Sequence, residues 1–311
     1  MKALRSWLKL TRAEHAVLSA AGVLVAIFIA LKASEISFCA PLQAGGLPGL
    51  PAGGACLELW KVCAALLAPV LINLGAFAIN DYFDIGADRE NKMHGRPLVS
   101  GEIKPAHAAI FGAGALIFGG LLGFAINFEA GAISSAFAIV SFLYNWKLKE
   151  IALLGNLFIS FSMGIAFIFG AVSSGLMLES LPLDFWILAI GASAAGLGRE
   201  IVKTVQDLEG DKKARGSRTL PVLFGERNSL LVAAGAFVLF SICIGWLALN
   251  SQILRFNTLS LGLLAIGALS YLTFAYLCAL GKMGRERIEE IRKLTLQVLA
   301  VVMLGVFICA I

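Results

Sequence analysis

Acidic residues recur at helical spacing in one segment of this 311-residue chain. Asp81, Asp84 and Asp88 are three and four residues apart, with Asn80 beside them, so a helix through this segment would present their oxygens on one face. Like charges at this spacing repel each other unless a cation joins them. Carboxylate and amide oxygens suit Mg²⁺, which proteins commonly share with substrate phosphates. The spacing therefore predicts that all four residues are magnesium ligands.

A second acidic segment follows later in the chain. Asp207 and Asp211 are four residues apart, and Glu200 lies seven residues before Asp207 on the same helical stripe. Two such segments on one membrane face can hold two metal ions with a diphosphate between them, and the metals would neutralise the diphosphate as it leaves. We therefore expect Asp207 and Asp211 to be metal ligands, and to act in catalysis together with Asp84 and Asp88.

Basic and polar residues near these segments are candidates for substrate binding. Lys92, Arg96 and Lys203 are our candidates for phosphate contacts, because guanidinium and ammonium groups bind phosphate well. Their alternative role is the ordinary excess of basic residues in loops on the inner side of a membrane. Asn73 lies seven residues before Asn80, on the same helical face, and is a further candidate for substrate binding.

An aromatic residue in a middle apolar segment has two interpretations. The ring of Tyr144 could stabilise a developing allylic cation, or its hydroxyl could bind phosphate, which makes Tyr144 a candidate catalytic residue. Alternatively, Tyr144 belongs to the belt of aromatic residues found at membrane interfaces. Asn145 and Asn156 are the other notable polar residues in the middle segments.

The composition excludes an ordinary soluble protein. Hydrophobic residues make up 59% of the chain and charged residues 14%, and the mean hydropathy is +0.86. Soluble domains contain about 25% charged residues. The net charge of +5 does not indicate nucleic-acid binding, because the basic residues lie in short loops between apolar segments.

Nine apolar segments approach the length that spans a bilayer, and we predict that all are helices because lipid cannot satisfy unpaired backbone groups. They cover residues 14–32, 57–80, 106–127, 130–146, 151–174, 184–204, 228–249, 258–281 and 291–311. The sequence thus predicts an all-α membrane protein with nine transmembrane helices. We interpret residues 1–311 as one domain.

The distribution of basic residues predicts the orientation in the cell membrane. With a cytoplasmic N-terminus, 22 of the 25 Lys and Arg residues fall on the cytoplasmic side, and only Lys32, Lys61 and Arg255 do not. This asymmetry follows the positive-inside rule and places both acidic loops in the cytoplasm. Cys39 and Cys56 share the external 33–56 loop and would be able to pair if that side is oxidising.

The motifs resemble the two signatures of the UbiA superfamily of intramembrane prenyltransferases. One segment looks like the first signature: Asn80-Asp81-x-x-Asp84-x-x-x-Asp88, followed by Arg89 and Arg96-Pro97. Another looks like the second signature: Asp207-x-x-x-Asp211, followed by Thr219-Leu220-Pro221 and Gly225. This resemblance covers nearly the whole chain. It implies a helical bundle around a central cavity, and two Mg²⁺ ions that bridge a prenyl diphosphate.

Within this superfamily, the segment from Arg199 to Asp211 looks most like the archaeal digeranylgeranylglyceryl phosphate synthases, and Gly155-Asn156 also fits that branch. The resemblance implies transfer of a geranylgeranyl group from its diphosphate to geranylgeranylglyceryl phosphate, a lipid-like acceptor, with Asn156 binding substrate. Arg12 is a candidate for binding the acceptor's phosphate. Thr204 stands where that branch often has an aspartate, and this departure bears on the acceptor rather than on the metal site.

Two alternatives remain open at this point. One is a prenyltransferase acting on an aromatic acceptor of quinone or chlorin biosynthesis, which would need more aromatic rings around the cavity. The other is a cation transporter with an acid-lined mouth. Transporters place charged sites near the membrane midplane, whereas the acids here lie at the ends of apolar segments, so the pattern disfavours transport.

Overall fold

The computed structural model describes residues 2–34, 37–38, 56–90, 93–151, 153–208, 219–281 and 283–311. Nearly all of these residues are helical, as the apolar segments predict. The helices are α1 (Lys2–Thr11), α2 (Ala13–Ser34), α3 (Leu59–Glu90), α4 (Pro105–Ile126), α5 (Phe128–Trp146), α6 (Leu154–Ser173), α7 (Leu183–Gln206), α8 (Leu220–Phe224), α9 (Glu226–Asn250), α10 (Thr258–Leu280) and α11 (Arg285–Ala310). The only strands in the described part are two-residue segments, β1 (Ser37–Phe38) and β2 (Cys56–Leu57), which pair in parallel.

Eight of the helices in the described part are long and apolar enough to cross a membrane. The all-helical membrane architecture is therefore confirmed, while the count of nine spans is not. The difference is the predicted segment 130–146, which is the 19-residue helix α5. This helix has Glu129 in its first turn and the polar residues Tyr144 and Asn145 near its end, and it is not among the eight.

Helix α3 runs through the first acidic segment, as the spacing of the aspartates predicts. It has 32 residues and continues from Leu59 to Glu90. At 1.5 Å per residue this helix is about 48 Å long, which exceeds the roughly 30 Å of bilayer hydrocarbon. One end must therefore extend into the polar region, and the end that carries the charges is the one formed by residues 80–90.

Close packing between α3 and α4 fixes the position of α3. A Cβ atom added to Gly75 would lie 2.8 Å from the backbone oxygen of Gly112 and 3.0 Å from the backbone nitrogen of Leu116. A Cβ atom at Gly119 would approach the backbone of α3 equally closely, at 3.0 Å from Ala68 O. Small residues at these positions let two membrane helices approach until their backbones touch.

The helices form two compact units. The first contains Met1–Leu148 and Phe169–Glu179, and the second contains Lys149–Ile168 and Ser180–Ile311. Because α6 contributes residues to both units, we retain one domain over the whole chain as a prediction. Cys39 lies outside the described residues, so its pairing with Cys56 also stays a prediction. Cys63, Cys243 and Cys278 are free thiols.

The α3–α4 contact yields a stability prediction. Gly75→Ala places a methyl group against the backbone of α4, and overpacking of this kind costs about 1–3 kcal/mol. We expect a lower thermal unfolding temperature in detergent. Gly114→Ala is the matched control on α4, because a Cβ atom there meets nothing within 4 Å. Equal unfolding temperatures for the two variants would contradict this account of the packing.

Candidate active site

An arginine holds two buried carboxylates together at the end of α3. The same nitrogen of Arg96, Nη1, lies 2.9 Å from Asp81 Oδ1 and 2.8 Å from Asp88 Oδ2. The side chains of Asp81 and Asp88 are only 4% and 10% exposed. Seven residues separate them, which is two helical turns, so both point to the same side of α3. The Arg96 cation offsets the repulsion and desolvation that two buried carboxylates would otherwise suffer.

The loop after α3 brings Arg96 back to the helix. The N–H of Met93 donates to Asp88 O at 2.9 Å, and the N–H of Arg96 donates to Met93 O at 2.9 Å, so the chain turns immediately. Leu98 and Ile103 then bury their side chains in an apolar cluster with Ala78 of α3. This packing anchors the part of the loop that follows Arg96. The structure places Arg96 beside the acidic segment, and its predicted contact with phosphate stays a prediction.

Arg12 contacts the same carboxylate from the junction between α1 and α2. Its Nη2 atom lies 3.3 Å from Asp81 Oδ1, and its guanidinium carbon lies 4.7 Å from the ring centroid of Phe77. Arg12 has φ +44°, a left-handed conformation that is uncommon for a residue with a side chain. From this junction its side chain reaches both Asp81 and Phe77. No motif in the sequence pointed to Phe77, although it lies one turn before Asp81 on the same face of α3.

The remaining predicted residues of α3 share this face to different extents. The side chain of Asn80 approaches Asp81 Oδ1 with its Nδ2 at 3.5 Å, and Asp84 is half-buried on the turn between Asp81 and Asp88. Asn73 lies two turns before Asn80, where its Nδ2 donates to Ser19 Oγ of α2 at 3.1 Å. The structure thus brings Asn80 to the carboxylate pair, and it places Asn73 deeper along the same helix.

The side chain of Asn145, beside Tyr144, connects α5 to α3. The Asn145 side chain is buried, and its Nδ2 donates to Ala76 O of α3 at 3.2 Å and to Ser141 O at 2.9 Å. Ala76 is one turn before Asn80, so this bond ties the end of α5 to the turn that precedes the acidic segment. Tyr144 itself is half-buried in the last turn of α5.

The second unit has its own buried acid near the end of α7. Glu200 is 5% exposed. Its Oε1 accepts a hydrogen bond from Arg199 Nη1 at 2.7 Å, and its Oε2 lies 3.4 Å from Lys203 Nζ. Lys203 is 43% exposed at its side chain and remains accessible from solvent. The Nε atom of Arg199 is buried and makes no hydrogen bond with the described residues.

The other predicted residues of this unit lie apart or outside the described part of the chain. Asp207 is the exposed C-cap of α7, and its backbone N–H donates to Lys203 O at 3.0 Å. Asn156 is buried in the first turn of α6. Asp211, and Lys92 of the first segment, lie outside the described residues, so their predicted roles stay predictions.

The described residues include no group of three His, Cys, Asp or Glu side chains that converge on one point. Instead, the carboxylates of Asp81 and Asp88 both contact one cation, the Arg96 guanidinium. Such a set of hard oxygen donors fits magnesium, which commonly takes one or two carboxylates from the protein and its remaining ligands from phosphate and water. The donor set therefore fits a metal that arrives with a phosphate-bearing substrate.

Comparison with known proteins places the chain in a family. Residues 43–282 match the UbiA prenyltransferase family. The chain is 30% identical over 312 residues to digeranylgeranylglyceryl phosphate synthase of Archaeoglobus fulgidus, a similarity that covers 99% of this chain and 97% of that protein. It is 36% identical over 195 residues to the enzyme of the same name from Methanopyrus kandleri, which covers 63% of this chain and 69% of that protein.

Solved structures agree with this assignment. A structure of digeranylgeranylglyceryl phosphate synthase superimposes with a TM-score of 0.76 at 28% identity, and covers 100% of this chain and 99% of that chain. A UbiA homologue from Archaeoglobus fulgidus bound to GPP and Mg²⁺ has the same fold, with a TM-score of 0.61, 17% identity and coverage of 96% and 99%. The match over most of the chain, together with the whole-length relative, shows that this protein belongs to the UbiA prenyltransferase family.

Proposed function

We propose that this membrane protein transfers a geranylgeranyl group from its diphosphate to geranylgeranylglyceryl phosphate, and thereby makes an ether bond of an archaeal lipid. The observation that carries the proposal is the pair of buried carboxylates, Asp81 and Asp88, held together by a cation at the end of a membrane helix. Buried acids in membrane proteins are costly and generally functional. The names of whole-length relatives support the choice of acceptor.

The carboxylates of α3 would hold magnesium with the substrate's diphosphate. In this proposal Asn80, Asp81, Asp84 and Asp88 supply oxygen ligands, and Asp207 and Asp211 supply those of the second segment. Magnesium would neutralise the charge that builds up on the diphosphate as it leaves. The Arg96 guanidinium, once its carboxylates bind a metal, would be available to donate hydrogen bonds to the same diphosphate.

Reaction of a phosphate-bearing acceptor requires more basic groups than one diphosphate needs. Arg12 contacts Asp81 while 35% of its side chain remains exposed, so it is placed near the acids without being enclosed by them. We assign it to the acceptor's phosphate. Lys203, which is 43% exposed, and Lys92 are assigned to the diphosphate. Asn73 and Asn156 are assigned to substrate binding, as the sequence analysis predicts.

The chemical step breaks the bond between the allylic carbon and the diphosphate oxygen, and forms a bond from the acceptor's hydroxyl oxygen to that carbon. The diphosphate leaves with the electron pair of the broken bond, and the hydroxyl proton passes to the released diphosphate or to water as the ether forms. Tyr144, half-buried at the end of α5, is proposed to stabilise the allylic cation with its ring. The long prenyl chain can remain in hydrocarbon, where each methylene gains about 0.8 kcal/mol relative to water.

The orientation in the membrane is part of the proposal. We infer that the N-terminus and both acidic segments face the cytoplasm, because that orientation, with α5 counted as a ninth span, assigns 22 of the 25 basic residues to the cytoplasmic side. Prenyl diphosphate would then bind from the cytoplasm, and the lipid-like acceptor from the bilayer. Family membership favours prenyl transfer over the alternative of a cation transporter.

The acceptor can be tested by product identification. We expect the purified protein, given magnesium, geranylgeranyl diphosphate and geranylgeranylglyceryl phosphate, to form the doubly alkylated glycerol phosphate, which mass spectrometry would detect. A parallel reaction with an aromatic acid should give no prenylated product. Prenylation of the aromatic acid alone would overturn the proposed acceptor while leaving prenyl transfer intact.

The metal ligands can be tested by removing one charge at a time. Asp84→Asn and Asp207→Asn each replace a proposed metal ligand without changing the size of the side chain. We expect kcat to fall by about a hundredfold or more, since each loses electrostatic stabilisation of the leaving group. Glu290→Gln on α11, where the side chain is 57% exposed, should retain full activity. Normal turnover in both aspartate variants would rule out these ligands.

The role of Arg96 as a counter-ion can be measured by thermal unfolding. Arg96→Gln leaves Asp81 and Asp88 with less positive charge, so the metal-free protein should unfold at a lower temperature. Magnesium should then raise the unfolding temperature of Arg96→Gln more than that of the wild type. The control is Arg287→Gln, which removes an exposed ion pair worth about 0–1 kcal/mol. Identical magnesium responses in wild type and Arg96→Gln would contradict this role.

A further inference from the structure

Helix α1 is too short to span a membrane. It has ten residues, and at 1.5 Å per residue it measures about 15 Å, half of the thickness of bilayer hydrocarbon. The first membrane-spanning segment begins at His15, so only three residues separate the end of α1 from that segment. An extended chain of three residues reaches about 10 Å, which keeps α1 close to the membrane surface.

One side of α1 is fully occupied by the protein. Ser6 Oγ donates to Glu102 Oε2 at 2.6 Å, and the Trp7 ring lies 5.0 Å from that of Phe111 in the second turn of α4. Leu10 is completely buried among Ala78, Leu98, Ile103 and Ala108. These contacts all involve the end of α3, the start of α4 and the loop between them. Helix α1 is therefore anchored beside the end of the helix pair that carries the acidic segment.

The rest of α1 divides into an apolar and a basic stripe. Leu4 and Leu8 are 65% and 49% exposed, and at about 100° per residue they lie roughly 40° apart around the helix. Arg5 and Lys9, also exposed, form a second pair with the same separation, and the Lys9 ammonium lies beside Gly95 in the loop after α3. A helix with neighbouring apolar and basic stripes lies in the interface of a membrane, with its leucines in the acyl region and its basic groups at the headgroups.

We propose that α1 is a docking element for the anionic surface of the bilayer, with Leu4 and Leu8 inserted beside the protein and Arg5 and Lys9 bound to lipid phosphates. The inference does not depend on the reaction assigned above. Charge complementarity supports this occupant, because a basic residue near an anionic membrane gains favourable electrostatic energy at short range. Since α1 ends next to Arg12, the docked helix would also hold Arg12 at Asp81.

Hydrogen exchange of the α1 amides in lipid nanodiscs tests this surface. The full-length protein is placed in nanodiscs of phosphatidylcholine, or of an equal mixture of phosphatidylcholine and phosphatidylglycerol. We expect amides of residues 2–11 to exchange about tenfold more slowly in the anionic nanodiscs, because two basic residues contact the headgroups. High salt should remove most of this difference through screening.

Three variants separate the two stripes. Arg5→Gln/Lys9→Gln should abolish the difference between the two lipid mixtures, whereas Arg255→Gln, a change at an exposed arginine far along the chain, should preserve it. Leu4→Ser/Leu8→Ser should accelerate exchange in both mixtures. Equal exchange of wild-type α1 in neutral and anionic nanodiscs would overturn the proposal, and so would a loss of the difference in Arg255→Gln.

Discussion

The guanidinium of Arg96 between Asp81 and Asp88 is the interaction on which the candidate site depends. Two carboxylates that are only 4% and 10% exposed cannot both stay charged without a compensating cation. Arg96 supplies that charge, and the loop from Met93 to Ile103 is folded so that it can. The buried side chains of Leu98 and Ile103 anchor this loop against α1, α3 and α4. The packing of the loop therefore places the Arg96 guanidinium where the two buried carboxylates need a compensating charge.

Helix α3 must be held in place for this arrangement to work, and its neighbours do so by different means. Helix α4 approaches until backbones nearly touch, through Gly75, Gly112 and Gly119. Helix α5 is joined by the Asn145 side chain, which donates to a backbone oxygen of α3. Hydrogen bonds from asparagine and contacts of small residues are the interactions that remain effective in lipid, where apolar burial between helices contributes little.

The second unit also contains a buried carboxylate that is paired with an arginine. Glu200 is buried near the end of α7, and the adjacent Arg199 pairs with it at 2.7 Å. Lys203, one turn further along α7, also lies near the Glu200 carboxylate. Both units thus carry a buried carboxylate at the end of a long apolar helix, and in both an arginine neutralises it. This shared arrangement is compatible with the proposal that acids at these helix ends bind magnesium together with the diphosphate.

Sequence by itself determined the membrane class, the helical architecture and the acidic segments, because hydropathy and residue spacing act over short stretches of chain. It also indicated Arg96, from its place beside the first segment. Only the tertiary structure decided that Arg96 bridges Asp81 and Asp88, that Arg12 meets Asp81 across Phe77, and that Asn145 bonds to α3. These contacts join residues 8 to 69 positions apart along the chain. Local spacing carries no information about which distant side chain will neutralise a buried charge, since that depends on how the helices pack.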